Sequence, residues 1–144
     1  MDFTVEREPH VRSGAEAITV ECRHPGADDY TGRLNGVLTS TGDQARHLDR
    51  FDLLTPPDGL MLFVNEVTVN PEAVGRRLGH RLIEHAVEAT GARNVALIAA
   101  PFGPRAAALT EQVGLRRLET YYEKLGFREV ARTPDGHSLM VLTR

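Results

Sequence analysis

Two residues in this chain stand where a proton could be moved, and one stretch gathers the means to hold an anion. Glu66 lies inside LMLFVNEVTV, an apolar and β-branched run in which a carboxylate needs a partner, water or a purpose. Burial there would raise its pKa towards that of a useful base. The competing reading is a residue at the mouth of a cleft, merely solvated. Tyr122 falls on the same helical face as Leu118 and Leu125. A phenol in that place either donates a proton or fills the core as an ordinary patterned aromatic. The stretch is VNPEAVGRRLGHRL, with Gly75 and Gly79 among Arg76, Arg77 and Arg81, at a strand-to-helix junction. The first N–H groups of a helix have no intrahelical partner, the dipole adds positive potential, and glycine lets a phosphate come close. An ordinary helix start fits too, with Asn70 as N-cap, Pro71 at the first position and Glu72 in the first turn. Two glycines in early helical turns cost about 1 kcal/mol each against alanine, so they call for a reason.

The elements that must position these residues follow from periodicity. FTVERE, AITVEC and GRLNGVLTS read as three strands, with Gly36 at a bulge in the third. GDQARHLDRFDLL reads as a helix capped by Asp43. LMLFVNEVTV is the strongest strand signal, its apolar start suiting a central strand covered on both faces. Leu78, Leu82, Ile83, Ala86 and Val87 mark one face of a helix ending near Gly91, and NVALIAAPF is a short buried strand after it. Together they form a βαβ unit with parallel strands. GPRAAALTEQVGLRRLETYYEKLG is helical with a break expected around Gly114, and a hairpin around Pro134-Asp135-Gly136 closes the chain. The expectation is an α/β (α+β) domain over residues 1–144: a mixed, mostly antiparallel sheet, a central βαβ unit, helices on both faces and a C-terminal hairpin.

Composition narrows the partners. The 144 residues are 41% hydrophobic and 26% charged, which suits one soluble domain. A net charge of -3 gives no footprint for nucleic acid, and no apolar run is long enough to span a membrane. MDFTVEREPH carries acids and no apolar run, so no signal peptide is expected, and the single cysteine, Cys22, fits a reducing, cytoplasmic setting. His80 and His85 are not spaced as a zinc pair, and no metal site is expected. G-x-S-x-G, the P-loop and the dinucleotide fingerprint are all missing.

VTVNPEAVGRRLGHRLIEHA, followed after a helix and a strand by YYEKLGFREV, resembles the GNAT superfamily of acyl-CoA-dependent N-acyltransferases. The family's phosphate-binding segment has the general form V-x-P-x-x-[RQ]-G-x-G-x-[GA], matched here by Val69, Pro71, Gly75 and Gly79. Its later signature, [FY]-Y-x-K-x-G-F, is matched by Tyr121, Tyr122, Lys124, Gly126 and Phe127. The resemblance covers Leu60 to Arg144. It implies transfer of an acetyl or other acyl group from acyl-CoA, the co-substrate, to a primary amine on a small molecule or peptide. The amine attacks directly in a ternary complex. It implies main-chain pairing of the pantetheine arm with Val67 and Val69, and a pyrophosphate on Val74, Gly75, Arg76, Arg77, Leu78, Gly79 and His80. Tyr122 would be the general acid at the sulfur, and Glu66 the base or amine anchor.

The chain also departs from the pattern. Val74 stands where Arg or Gln is usual, and Arg77 where the middle glycine is usual. Only PHVRSGAE lies between the first two strands, too short for the family's two helices. The acceptor side is then more open, or closed by the helix around Leu48 or by a second copy in a homodimer. Val74 and Arg77 favour the alternative, a non-catalytic CoA-binding or protein-interaction domain that keeps the fold.

Overall fold

A computed structural model describes residues 1–9, 15–39, 60–70, 77–99, 111–132 and 136–143, with side chains from 116 onward in the stretch that starts at 111. Seven strands form one sheet: β1 (Asp2–Pro9), β2 (Glu16–Arg23), β3 (Gly32–Thr39), β4 (Met61–Val69), β5 (Asn94–Ala99), β6 (Arg128–Arg132) and β7 (Ser138–Thr143). Their order is β1-β2-β3-β4-β5-β7-β6. Every pairing is antiparallel except β4 with β5, whose strands are joined across helix α1 (Leu78–Thr90). A second helix, α2 (Glu111–Lys124), lies between β5 and β6.

The period-2 and period-3.6 patterns meet in one core. Ile18, Val20 and Cys22 of β2, Leu34 of β3, Leu62 and Val64 of β4, and Val95, Leu97 and Ala99 of β5 alternate onto one face of the sheet. Leu78, Leu82, Ile83, Ala86 and Val87 of α1 are buried against them, and Leu118 and Tyr122 of α2 pack on the same cluster. The alternate residues Met61, Phe63, Ala96 and Leu139 form a second buried cluster. The central strands are thus covered on both faces, as their continuous apolar runs require. α1 stops at Gly91, which takes a left-handed conformation (φ 71°) and donates its N–H to Val87 O at 2.8 Å.

Three expectations need correction. The helix does not start at Asn70: the Asn70 N–H donates to Thr31 O at 2.8 Å, and α1 begins at Leu78. No break occurs at Gly114, because α2 runs unbroken from Glu111 to Lys124. Each of its remaining residues supplies its own i→i−4 geometry, so one glycine costs helix stability without ending the helix. The bulge near Gly36 belongs to the neighbouring strand. Asn35 pairs with Glu66 and Gly36 with Val64, leaving Asn65 of β4 as the extra residue. Gly36 allows the close approach there, since a Cβ on it would stand 2.7 Å from Phe63 O. The helix expected around Leu48 lies outside the described residues.

Candidate active site

The site begins where two parallel strands part. β4 and β5 are paired only over Met61–Val64 and Asn94–Leu97. β4 continues beyond the unpaired Asn65 with β3 alongside Glu66–Val69, whereas the end of β5 pairs only with β7. The bulge at Asn65 drives the parting, because an extra residue breaks the ladder and re-aims the strand beyond it. It also resets the alternation. Leu62 and Val64 face the main core before it, and Val67 and Val69 pack on that core after it. The parted edge of β4 offers backbone N–H and C=O groups to an extended chain, as a strand edge does.

The first turn of α1 lies beside that edge. Arg77, its N-cap, is left-handed (φ 57°, ψ 29°), the conformation in which glycine is at ease and arginine is not. The residue that departs from the glycine-rich pattern therefore keeps the backbone shape a glycine would give. Its side chain is exposed. The Arg81 N–H bonds Arg77 O at 3.1 Å, so the orphan amides of the helix are those of Leu78, Gly79 and His80. A Cβ on Gly79 would meet the Tyr121 hydroxyl at 3.1 Å and Val67 Cγ1 at 3.7 Å. Tyr121 and Val67 therefore come this close to the first turn of α1 only because residue 79 has no side chain.

Tyr121 completes the cradle. The main-chain N–H of His80 donates to its hydroxyl. Burial pushes the phenol up, while this hydrogen bond and the Arg77 guanidinium pull it back down. Among the described residues, α1's first turn, Val67 of β4 and Tyr121 of α2 converge on one point. The arrangement can seat an anion on helix amides and align an extended chain along β4.

No protein-family profile and no curated protein matches the sequence. Solved structures do match the fold. An acetyltransferase from Bacillus cereus superposes with a TM-score of 0.57 at 15% identity, over 93% of this chain and 77% of its own. Arabidopsis thaliana NAA60 in complex with a bisubstrate analogue gives 0.55 at 16% identity, over 88% and 75%, and NAA60 with acetyl-CoA gives 0.53 at 16%, over 90% and 76%. A protein from Desulfovibrio desulfuricans assigned to the GNAT family gives 0.54 at 18% identity, over 88% and 69%. The chain has the GNAT fold. At these identities the likeness establishes architecture, and the chemistry rests on the residues.

Within the GNAT fold, the expected site residues fall into three groups. Val67, Val69, Arg77, Leu78, Gly79 and His80 lie at the parted edge or on the first turn of α1. Val74, Gly75 and Arg76 lie outside the described residues. Tyr122 is partly buried on the main core, its ring edge-on to Phe127 at 5.5 Å and to Tyr121 at 5.2 Å. Burial, with the neighbouring Tyr121 phenol adding to it, pushes its pKa up to about 12. Tyr122 thus holds its proton throughout the physiological range.

Glu66 is not buried, contrary to the expectation from its apolar neighbours. After the bulge it points away from Val67 and Val69, is exposed, and accepts a hydrogen bond from Thr68 Oγ1 at 2.9 Å. Asn35, its cross-strand neighbour, accepts one from Thr19 Oγ1 at 3.3 Å. Glu66 therefore belongs to a polar strip across β2, β3 and β4, not to the apolar side that holds Tyr122. His80 is partly committed elsewhere, with Nε2 2.7 Å from Glu84 Oε1.

The residue that sequence reasoning passed over is Tyr121. It counted only as the aromatic before Tyr122. Its helical phase is the missed signal: Arg117, Tyr121 and Lys124 share one face of α2 at i, i+4 and i+7.

Proposed function

We propose that this chain, as one domain over residues 1–144, is an N-acyltransferase that moves an acyl group from acyl-CoA to a primary amine. The parting of β4 from β5 after Val64, beside the first turn of α1 and its orphan amides, is the observation that carries the reading. The amides of Leu78 and Gly79 receive the diphosphate, with Arg77 adding charge at the rim, Arg76 assisting, and His80 holding the Tyr121 hydroxyl beside them. Main-chain groups at Val67 and Val69 pair with the pantetheine arm as an added strand would. Both supports lie on rigid elements, so orientation of the thioester supplies much of the rate.

The thioester supplies an activated acyl carbon and a thiolate leaving group. Tyr122 donates a hydrogen bond to that sulfur. With a pKa of about 12 it stabilises the thiolate without surrendering its proton outright. Glu66 acts from the polar strip, anchoring a cationic amine or taking its proton through water. Its exposure suits an acceptor that arrives from solvent.

Thermal shift and thiol release test this together. CoA should raise Tm by mass action. An amine panel should release free thiol from acetyl-CoA. Tyr122→Phe should lower kcat about 100-fold with CoA binding unchanged, and Glu66→Gln should lower turnover without moving KM for acetyl-CoA. No stabilisation by CoA would overturn the reading. Stabilisation without thiol release from any amine would favour the non-catalytic CoA-binding domain.

A further inference from the structure

The exposed face of α2 carries positive charge that the proposed chemistry does not use. Arg116, Arg117, Thr120, Tyr121 and Lys124 line a shallow recess of about 360 Å³. All three cations are exposed, and among the described residues none has an ion pair. Elsewhere Arg7 pairs with Glu16, Arg23 with Glu21, and Arg132 with Glu119 and Glu129, while Arg33 and Arg81 lie over the rings of Tyr30 and Phe3. The chain as a whole carries a net charge of -3, so the recess does not reflect a basic protein.

Its position gives the charge a use. Tyr121 is a wall of the recess and also reaches the first turn of α1, where the His80 N–H donates to its hydroxyl. The recess and the amide cradle are thus one tyrosine side chain apart. A ligand seated on the cradle that carried a second, separate phosphate could set it among the cations of α2. Such a phosphate monoester bears about −1.5 to −2 charges near neutral pH, and paired guanidinium groups match its oxygens.

Building on the acyl-CoA reading, we propose that the Arg116/Arg117/Lys124 recess binds the ribose 3′-phosphate of coenzyme A, so that the chain discriminates CoA from dephospho-CoA. Thr120 adds a hydroxyl to the same wall. Arg117 and Lys124 stand one turn to either side of Tyr121 and close on the phosphate from both ends.

Calorimetry with CoA and dephospho-CoA, at one low ionic strength, tests this on the full chain. The unaltered protein should bind CoA about 10-fold tighter than dephospho-CoA. Arg116→Ala/Arg117→Ala should erase most of that ratio by weakening CoA alone, leaving the dephospho-CoA Kd in place. Arg93→Ala, an exposed arginine beyond the far end of α1, should keep the ratio. Equal binding of the two ligands by the unaltered protein overturns the recess assignment and leaves the acyl-CoA reading standing. A preference that survives in Arg116→Ala/Arg117→Ala/Lys124→Ala overturns it too. Failure of both ligands to bind overturns the acyl-CoA reading itself.

Discussion

Arg77 offers a quantitative test of the cradle's backbone. Its φ of 57° and ψ of 29° place a β-carbon-bearing residue in left-handed helical space. That conformation costs a non-glycine residue roughly 1–2 kcal/mol, through the contact of Cβ with its own following carbonyl. Arg77→Gly removes the strain but returns about 0.5–1 kcal/mol of conformational freedom to the unfolded chain. The net expectation is a gain of about 0.5–1 kcal/mol, equivalent to a Tm rise of roughly 2–3 °C for a domain of this size. Arg77→Ala separates backbone from side chain. It keeps the Cβ and the strain while removing the exposed guanidinium, which has no ion pair among the described residues. Its Tm should stay within about 1 °C of the unaltered protein, because truncation of an exposed side chain is nearly neutral. The comparison is read by thermal denaturation followed by circular dichroism, with CoA titrated afterwards into each variant. A Tm for Arg77→Gly at or below that of Arg77→Ala would refute the left-handed assignment. The same glycine substitution should leave CoA binding in place, since the orphan amides of Leu78 and Gly79 are untouched.

The same geometry governs three further substitutions. Gly79→Ala should weaken CoA about 10-fold by calorimetry, because its Cβ would stand 3.1 Å from the Tyr121 hydroxyl and push it off the first turn of α1, while Tm changes little, since the gain of up to about 1 kcal/mol for alanine in a helix offsets that contact. Gly36→Ala should destabilise by about 1–3 kcal/mol in urea unfolding, because its Cβ would stand 2.7 Å from Phe63 O and cannot be accommodated by a rotamer change. Tyr122 makes stability fall at alkaline pH: below pH 10 the phenol is protonated folded and unfolded, and between the ordinary 10.0 and about 12 only the unfolded chain gives up its proton. The loss should approach roughly 2–3 kcal/mol across that window, and urea midpoints of Tyr122→Phe should lack most of this slope.

The sequence by itself determined the chain order of the described strands and helices, the parallel β4–β5 unit, and the two motifs, one between β4 and α1 and one at the end of α2. Those features rest on local pattern: the continuous apolar run Met61–Val64, the i, i+4 stripe of Leu78, Leu82 and Ala86, and the glycines at 79 and 126. Which side of the sheet each site residue faces was decided only by tertiary structure. The alternation of Glu66 and Thr68 with Val67 and Val69 is visible in the letters, but its phase relative to Leu62 and Val64 is set by the unpaired Asn65 opposite Gly36. A single extra residue turns every later side chain of the strand to the other face, and no local propensity announces it. That is why Glu66 is exposed rather than buried. Tyr121 shows the same effect at longer range. Its place against His80 and Gly79 depends on how α2 packs beside α1, a contact across about forty residues that no spacing rule could supply.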